Sequence, residues 1–180
     1  MTIRQLLILL LLFPGLSSAS RVTDGCIKTV FDRYCLGGSL SLLIRHYPPN
    51  AQSAANGERH GVIYARGREQ IYVMAYQGSI YKVLHTYEPT SQVTFKDLQR
   101  RLLEKYGKPQ DRSHFPDYVR NLSGKISSIR RGEGEMKYVW QLPGEAWRVE
   151  LAWMRKPGVS VSFIANELDA KQRDARLEGL

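Results

Sequence analysis

The stretch from residue 136 to residue 165 constrains the fold of this chain more than any other. Apolar and polar side chains alternate there through three consecutive runs. The apolar positions are Met136, Tyr138, Trp140 and Leu142, then Trp147, Val149, Leu151 and Trp153, then Val159, Val161, Phe163 and Ala165. This period of two is typical of strands that bury one face. Turn residues at Pro143-Gly144 and Pro157-Gly158 separate the runs. We therefore predict a three-strand antiparallel meander with an aromatic face that needs a cover.

A helix predicted over residues 94–106 is the natural cover for that face. Thr94 fits the N-cap position, and Gly107 followed by Pro109 ends the helix. Its apolar residues fall on one stripe, formed by Phe95, Leu98, Leu102, Leu103 and Tyr106. Lysines, arginines and acidic residues occupy the opposite, solvent-facing side.

The rest of the chain predicts further elements of the same α+β class. Ser39 caps a short helix that stops at Pro48-Pro49, and residues 50–61 read as an exposed loop. A short strand is expected at 61–65, followed by a hairpin with arms at 70–76 and 79–87. Residues 110–135 read as a long irregular or flexible loop, and residues 169–180 as a charged, helical tail. We predict one domain over residues 21–180, with a largely antiparallel sheet of five or six strands (hairpin plus three-strand meander) covered by amphipathic helices.

Residues 1–20 have the pattern of a secretory signal peptide. A basic start at Arg4 precedes the apolar run 6–13, and Ser17 and Ala19 fit a small-residue cleavage site. We expect cleavage near residue 19 or 20 and a periplasmic or secreted mature protein. The apolar run is shorter than the roughly 20 residues that a membrane-spanning helix needs, and no transmembrane segment is predicted in the mature chain.

The two cysteines, Cys26 and Cys35, leave two interpretations open. An exported protein can form a disulfide between them, and free thiols are unusual in an oxidising compartment. The spacing of Ile27, Val30 and Tyr34 instead fits one face of a helix. A continuous helix would hold the two Cα atoms about 13 Å apart, whereas a disulfide needs about 7 Å or less. We expect the disulfide, with the helix as its direct competitor.

Two stretches of the chain share one form. The first is Gly38-Ser39-Leu40, then Leu43-Ile44, then Tyr47-Pro48, and the second is Thr94-Phe95, then Leu98, Leu102 and Tyr106-Gly107-Lys108-Pro109. Each is a cap, a short amphipathic helix, and an aromatic residue with Gly or Pro. Beside a Trp-containing meander, such units resemble those of small periplasmic proteins of the BamE (SmpA/OmlA-like) type. The resemblance implies a role in outer-membrane assembly. The chain departs from that family because no lipid-attachment cysteine directly follows the leader.

The chain is basic, with a formal net charge of +9. Such a charge favours acidic partners: an anionic lipid or polysaccharide surface, or an acidic patch on an envelope protein, and it also allows nucleic acid. Residues 118–132 contain no acidic residue, and the predicted helix 94–106 carries a basic outer side. We hypothesise one anion-binding face formed by Arg100, Arg101, Arg120, Lys125, Arg130 and Arg131. The competing interpretation is a solvated surface without a ligand.

Known catalytic patterns do not account for the polar residues of this chain. The four histidines, His46, His60, His85 and His114, lack metal-ligand spacing, and we predict no catalytic residue, metal site or cofactor. The sequence therefore favours an exported, non-catalytic envelope protein that binds an anionic envelope component or a protein partner. The alternative is a hydrolase acting on a cell-envelope polymer, with its catalytic residues gathered from distant positions.

Overall fold

An eight-stranded antiparallel sheet carries the fold in the computed structural model, which describes residues 25–52 and 58–178. Its strands are β3 (Ala51–Gln52), β4 (Arg59–Arg66), β5 (Glu69–Tyr76), β6 (Ser79–Tyr87), β7 (Gln110–Asp111), β8 (Met136–Gln141), β9 (Trp147–Trp153) and β10 (Val159–Ala165). A separate hairpin pairs β1 (Lys28–Val30) with β2 (Tyr34–Leu36). The helices are α1 (Leu40–His46), α2 (Gln92–Tyr106), α3 (Leu122–Arg131) and α4 (Asn166–Glu178). The predicted α+β class is confirmed, although the sheet has more strands than the five or six expected.

The order of the strands divides the sheet into two similar halves. Across the sheet the order is β3-β4-β5-β6-β10-β9-β8-β7. Each half contains a helix, a two-residue edge strand and a three-strand meander: α1 with β3 to β6, and α2 with β7 to β10. The second half also contains α3, between β7 and β8. The halves meet at the antiparallel pair β6–β10, so a pseudo-twofold axis passes between these strands. The two stretches of similar form in the sequence are the helices of the two halves.

The helices α1 and α2 and the β1–β2 hairpin cover one face of the sheet, which we call the core face. The meander predicted at 136–165 is confirmed, and its tryptophans Trp140, Trp147 and Trp153 are only 2%, 3% and 5% exposed. The ring of Phe95 on α2 packs 5.8 Å from that of Trp153. The indole N–H of Trp140 donates to the carbonyl of Gly107 at 2.8 Å, so the end of α2 is fixed to the sheet.

The start of α2 differs from the prediction. The helix begins at Gln92, and Ser91 is its N-cap, with Ser91 Oγ accepting the backbone N–H of Thr94 at 3.1 Å. The Thr94 hydroxyl instead donates to the carbonyl of Pro89 at 2.7 Å. Ser and Thr both cap helices well. The prediction of Thr94 was wrong because the extra residues do not extend the apolar stripe of the helix: Gln92 is polar, and Val93 is 79% exposed.

Residues 110–135 contain regular structure where a loop was expected. The segment forms the edge strand β7 and the ten-residue helix α3. Asn121 caps α3 through Oδ1, which accepts the backbone N–H of Gly124 at 2.7 Å. The helix ends at Gly132 in the left-handed conformation. The C-terminal helix α4 also begins earlier than the tail predicted at 169–180.

The segment from Cys26 to Cys35, for which a helix and a disulfide were competing predictions, forms a disulfide-linked hairpin. Cys26 and Cys35 are bonded, with their Cα atoms 5.5 Å apart, so the predicted bridge is confirmed and the helix over this segment is wrong. The chain reverses at Phe31 and Asp32, which have positive φ values of 47° and 69°. Tyr34 and the other inward residues of β2 are buried, which explains the apolar spacing that resembled a helical face.

The predicted signal peptide, residues 1–20, lies outside the described residues. Among the residues that are described, none of the helices combines the length and the apolar character needed to cross a membrane.

Leu102 tests whether α2 is essential to the core. Its side chain is 9% exposed, whereas that of the neighbouring Leu103 is 47% exposed. We expect Leu102→Ala to lower the free energy of unfolding by about 2–5 kcal/mol, because a buried leucine leaves a cavity. Leu103→Ala is the matched control and should change it by about 0.5 kcal/mol or less. Chemical denaturation measures both, and equal effects would contradict this packing of α2.

The disulfide should stabilise the hairpin by restricting the unfolded chain. Its cysteines are nine residues apart, for which loop closure is worth about 2–3 kcal/mol. We expect Cys26→Ala/Cys35→Ala to reduce the free energy of unfolding by about that amount. The wild-type protein measured with a reducing agent should behave like the double variant. If the reducing agent leaves the wild-type denaturation curve unchanged, the disulfide is not present in the folded protein.

Candidate anion-binding site

The arginines that the sequence placed on the outer side of α2 are held in ion pairs. Arg100 contacts Asp97 at 2.7 Å and Glu104 at 3.1 Å, and Arg101 contacts Asp97 at 2.8 Å. The hydrogen bond from Arg100 lowers the pKa of Asp97, so the carboxylate stays charged. Exposed pairs of this kind contribute little to stability, but they leave less charge on α2 for an external anion.

The other four predicted residues lie on or near α3. Arg131 forms an ion pair with Glu133 at 2.7 Å, and the ammonium of Lys125 lies 5.3 Å from the ring of Phe115. Arg120 and Arg130 are exposed, and neither has a hydrogen bond or ion pair within the described part of the chain. Arg120 and Arg130 therefore both remain candidates. Arg130 lies beside the first turn of α2, whereas Arg100 and Arg101 are more than two turns further along.

Arg130 belongs to a group of exposed cations at one end of the sheet, which we call the basic end. Its members are Arg68 in the β4–β5 turn, Arg130 in the last turn of α3, and Arg155 and Lys156 in the β9–β10 turn. Across residues 25–52 and 58–178, none of the four has an ion-pair or hydrogen-bond partner. They are the strongest candidates for binding an anion.

The register of the strands explains why these cations share one end. Arg66 pairs with Glu69 on β5, Tyr87 at the end of β6 pairs with Val159 at the start of β10, and Val159 pairs with Trp153 on β9. The β4–β5 and β9–β10 turns therefore lie at the same end of the strands.

Three cavities adjoin the β9–β10 turn, and one of them, about 460 Å³, places Arg155 and Lys156 beside Glu133 and Glu135. The other two are lined by the cations of the basic end. The larger, about 570 Å³, is lined by Arg68 and Lys156 and lies on the face opposite the core face. The smaller, about 430 Å³, is lined by Arg130, Arg155 and the start of α2. Both volumes are within the roughly 300–1,000 Å³ that is usual for small-molecule sites.

The acidic residues near the basic end already have partners. Glu88 accepts the backbone N–H of Thr90 at 3.0 Å. Glu133 binds Arg131, and Glu135 lies 3.6 Å from the ammonium of Lys137. Glu133 and Glu135 are therefore paired with cations outside the basic end, whereas Glu88 keeps its negative charge in the cavity lined by Arg68 and Lys156. The four cations of the basic end outnumber this one acid. Guanidinium groups can bind two oxygens of a phosphate or carboxylate at once.

Sequence reasoning missed three members of the basic end. Arg68 and Lys156 lie in predicted turns and Arg155 lies next to one, and nothing in a single sequence distinguishes a cation that serves a turn from one that binds a ligand. Their proximity depends on the β6–β10 pairing, which joins segments about 75 residues apart and has no local signal. The signal that could have found them is the recurrence of cations in hairpin turns.

One buried histidine and two carboxylates of the sheet and α4 are engaged in structural contacts. His85 Nε2 lies 2.8 Å from Glu69 Oε2, but His85 is only 4% exposed and its ring packs beneath that of Phe31. Glu150 and Asp169 both bind the guanidinium of Arg148, at 3.0 and 2.7 Å. The described residues also contain no group of three or more His, Cys, Asp or Glu arranged to hold a metal ion.

Comparison with known proteins places this chain in no family. No family model and no curated protein sequence matches it. Among solved structures, it is similar to a cysteine-rich secretory protein from Staphylococcus aureus, with a TM-score of 0.41 and 10% sequence identity. The alignment covers 73% of this chain and 45% of that one. A similarity at this level carries no argument about fold or function.

The buried His85 makes stability depend on pH. Burial lowers its pKa below the ordinary value of 6.5, against the opposing charge of Glu69. The unfolded chain therefore gains a proton at His85 before the folded chain does, and the free energy of unfolding falls as the pH drops below about 6.5. The slope from one such group is at most about 1.4 kcal/mol per pH unit. Denaturant titrations between pH 7.5 and 5 measure it.

We expect His85→Gln, which can still donate to Glu69, to reduce the fall in the free energy of unfolding at acidic pH. The exposed His60 provides the control, since His60→Gln should preserve the slope. Identical pH profiles for wild type and His85→Gln would show that another group is responsible.

Proposed function

We propose that this protein is an exported, non-catalytic binding protein of the cell envelope, and that its basic end binds anionic groups of an envelope component. One observation carries the proposal. Four cations from three separate elements line two adjoining cavities without an ion-pair partner in the described chain. The arginines of α2, by contrast, are held by Asp97 and Glu104.

Export is supported by two independent features. The leader pattern of residues 1–20 is that of a signal peptide. The disulfide between Cys26 and Cys35 is of a kind that persists mainly in oxidising compartments such as the periplasm. A basic protein in that compartment meets lipid phosphates, anionic polysaccharides and the acidic surfaces of envelope proteins.

The resemblance to BamE-type proteins is part of this proposal. Each half of the sheet joins an amphipathic helix to a three-strand meander. This arrangement supports the resemblance, which rests on the same two features. A role in outer-membrane assembly would then place the protein at a surface rich in anionic groups.

Binding to vesicles tests the proposal. The variant Arg68→Gln/Arg130→Gln/Arg155→Gln/Lys156→Gln removes four charges from the basic end. Wild type should bind vesicles that contain anionic lipid, and should release them as salt rises, because exposed charges are screened over about 8 Å at physiological ionic strength. We expect the variant to bind at least tenfold more weakly. Sedimentation with vesicles of anionic or neutral lipid measures both.

The matched control removes four charges that are already in ion pairs. It is Arg100→Gln/Arg101→Gln/Arg131→Gln/Lys171→Gln, in which Lys171 is paired with Glu167 at 2.6 Å. The two variants have the same net charge, so a general charge effect would weaken both equally. Equal binding by the two variants, or binding that ignores lipid charge, would reject the basic end as the site.

A further inference from the structure

The larger cavity at the basic end lies on the face of the sheet that the core-face helices leave open. Its floor is formed by Tyr72, Met74 and Leu84. These residues alternate along β5 and β6 with the buried Val73 and Val83, whose side chains point to the core face. The floor therefore belongs to the second face of the sheet, and Pro157 of the β9–β10 turn forms a wall.

The polar groups of this floor bind one another. The hydroxyl of Thr86 accepts the backbone N–H of Gln70 at 2.8 Å and donates to the carbonyl of the same residue at 3.2 Å. The hydroxyl of Tyr72 donates to the side-chain oxygen of Gln70. The sulfur of Met74 accepts the hydroxyl of Tyr81 at 3.8 Å. What the floor offers to a ligand is therefore mainly apolar surface.

The rim has the opposite character. Arg68 and Lys156 line the cavity, are exposed, and have no partner within the described residues. The one acid at the rim, Glu88, accepts a backbone N–H of its own turn. A ligand that satisfies both regions needs an apolar body for the floor and an anionic group for the two cations.

We propose that this cavity binds a single-chain anionic amphiphile, an alkyl chain that ends in a phosphate or carboxylate. The inference rests on the proposed function, because the head group would occupy the Arg68 and Lys156 side of the basic end. It adds that the ligand enters the protein by its chain, along Met74 and Leu84, and is not held by its charge alone. Phosphate and carboxylate heads share this chemistry, and alkyl phosphates serve as the probe.

The methionines report where a ligand binds. Met74 lines this cavity, Met154 lines the smaller cavity, and Met136 is 7% exposed in the core. With ¹³C-labelled methionine methyl groups, monomeric dodecyl phosphate should shift the Met74 signal and leave that of Met136 in place. Each methylene that becomes buried tightens binding by up to about fourfold. We therefore expect dodecyl phosphate to bind at least tenfold more tightly than butyl phosphate.

Two pairs of variants separate the roles of floor and rim. Leu84→Gln should remove the chain-length dependence and leave butyl phosphate binding unchanged, and Met74→Gln, measured by calorimetry, should repeat this result if Leu84→Gln folds poorly. Val139→Gln is the matched control, because Val139 lies on the same face of the sheet but on β8. Arg68→Gln/Lys156→Gln should weaken both phosphates, whereas Arg130→Gln/Arg155→Gln should leave the Met74 response intact.

Each remaining outcome decides between the two proposals. Equal affinity for butyl and dodecyl phosphate would overturn the amphiphile site but leave the anion-binding function standing. A shift at Met154 in place of Met74 would overturn it in favour of one of the two cavities that Met154 lines. An equal response to dodecyl maltoside would show that the cavity takes alkyl chains without an anionic head. No binding of any phosphate would reject the proposed function as well.

Discussion

The pairing of β6 with β10 is the interaction on which the rest of the structure depends. Six residue pairs, from Val159↔Tyr87 to Ile164↔Lys82, join the two halves into one sheet. Without this pairing, each half would be a meander with one helix and an exposed edge strand, and a sheet of that size buries little apolar area. The same pairing also positions the β1–β2 hairpin, because the ring of Phe31 packs between His85 of β6 and Phe163 of β10, 5.1 and 5.3 Å from their rings.

The two sides of the sheet have different consequences for function. On the core face, the tryptophans of the meander and Phe95 of α2 fill the space beneath the helices. On the other face, α4 contributes Asp169, which binds Arg148 of β9 at 2.7 Å. Burial by itself would lower the pKa of Arg148, but hydrogen bonds to Asp169 and Glu150 raise it, so this pair stays charged and holds α4 at the far end of the strands. The end near the β9–β10 turn is left open, and the larger cavity lies there.

Local patterns in the sequence predicted the elements that have a clear period and clear boundaries. The meander at 136–165 was found because its alternation is long and its turns contain Pro-Gly, and α2 was found from its apolar stripe. The helix α3 was missed because Gly124 and its serines are poor helix formers. The Asn121 cap and the burial of Ile129 in the core stabilise it. The burial of Ile129 depends on tertiary contacts, which no local sequence pattern shows. The disulfide-linked hairpin looked helical because seven or eight residues are too few to separate the two periods.

The sequence predicted the chemical character of the candidate site, which is basic, but not its location, because the approach of distant turns leaves no local pattern. Six cations were named, and Arg100, Arg101 and Arg131 proved to have acidic partners within four positions of them in the sequence. Such neighbours are visible in advance, so a basic residue near Asp or Glu on one helix is a weaker candidate than an isolated one. Three of the four cations of the basic end lie in hairpin turns, and none of the four forms an ion pair within the described residues. A site of this kind follows from the topology of the sheet: turns from distant hairpins converge at one end, and the cations they carry face the solvent together.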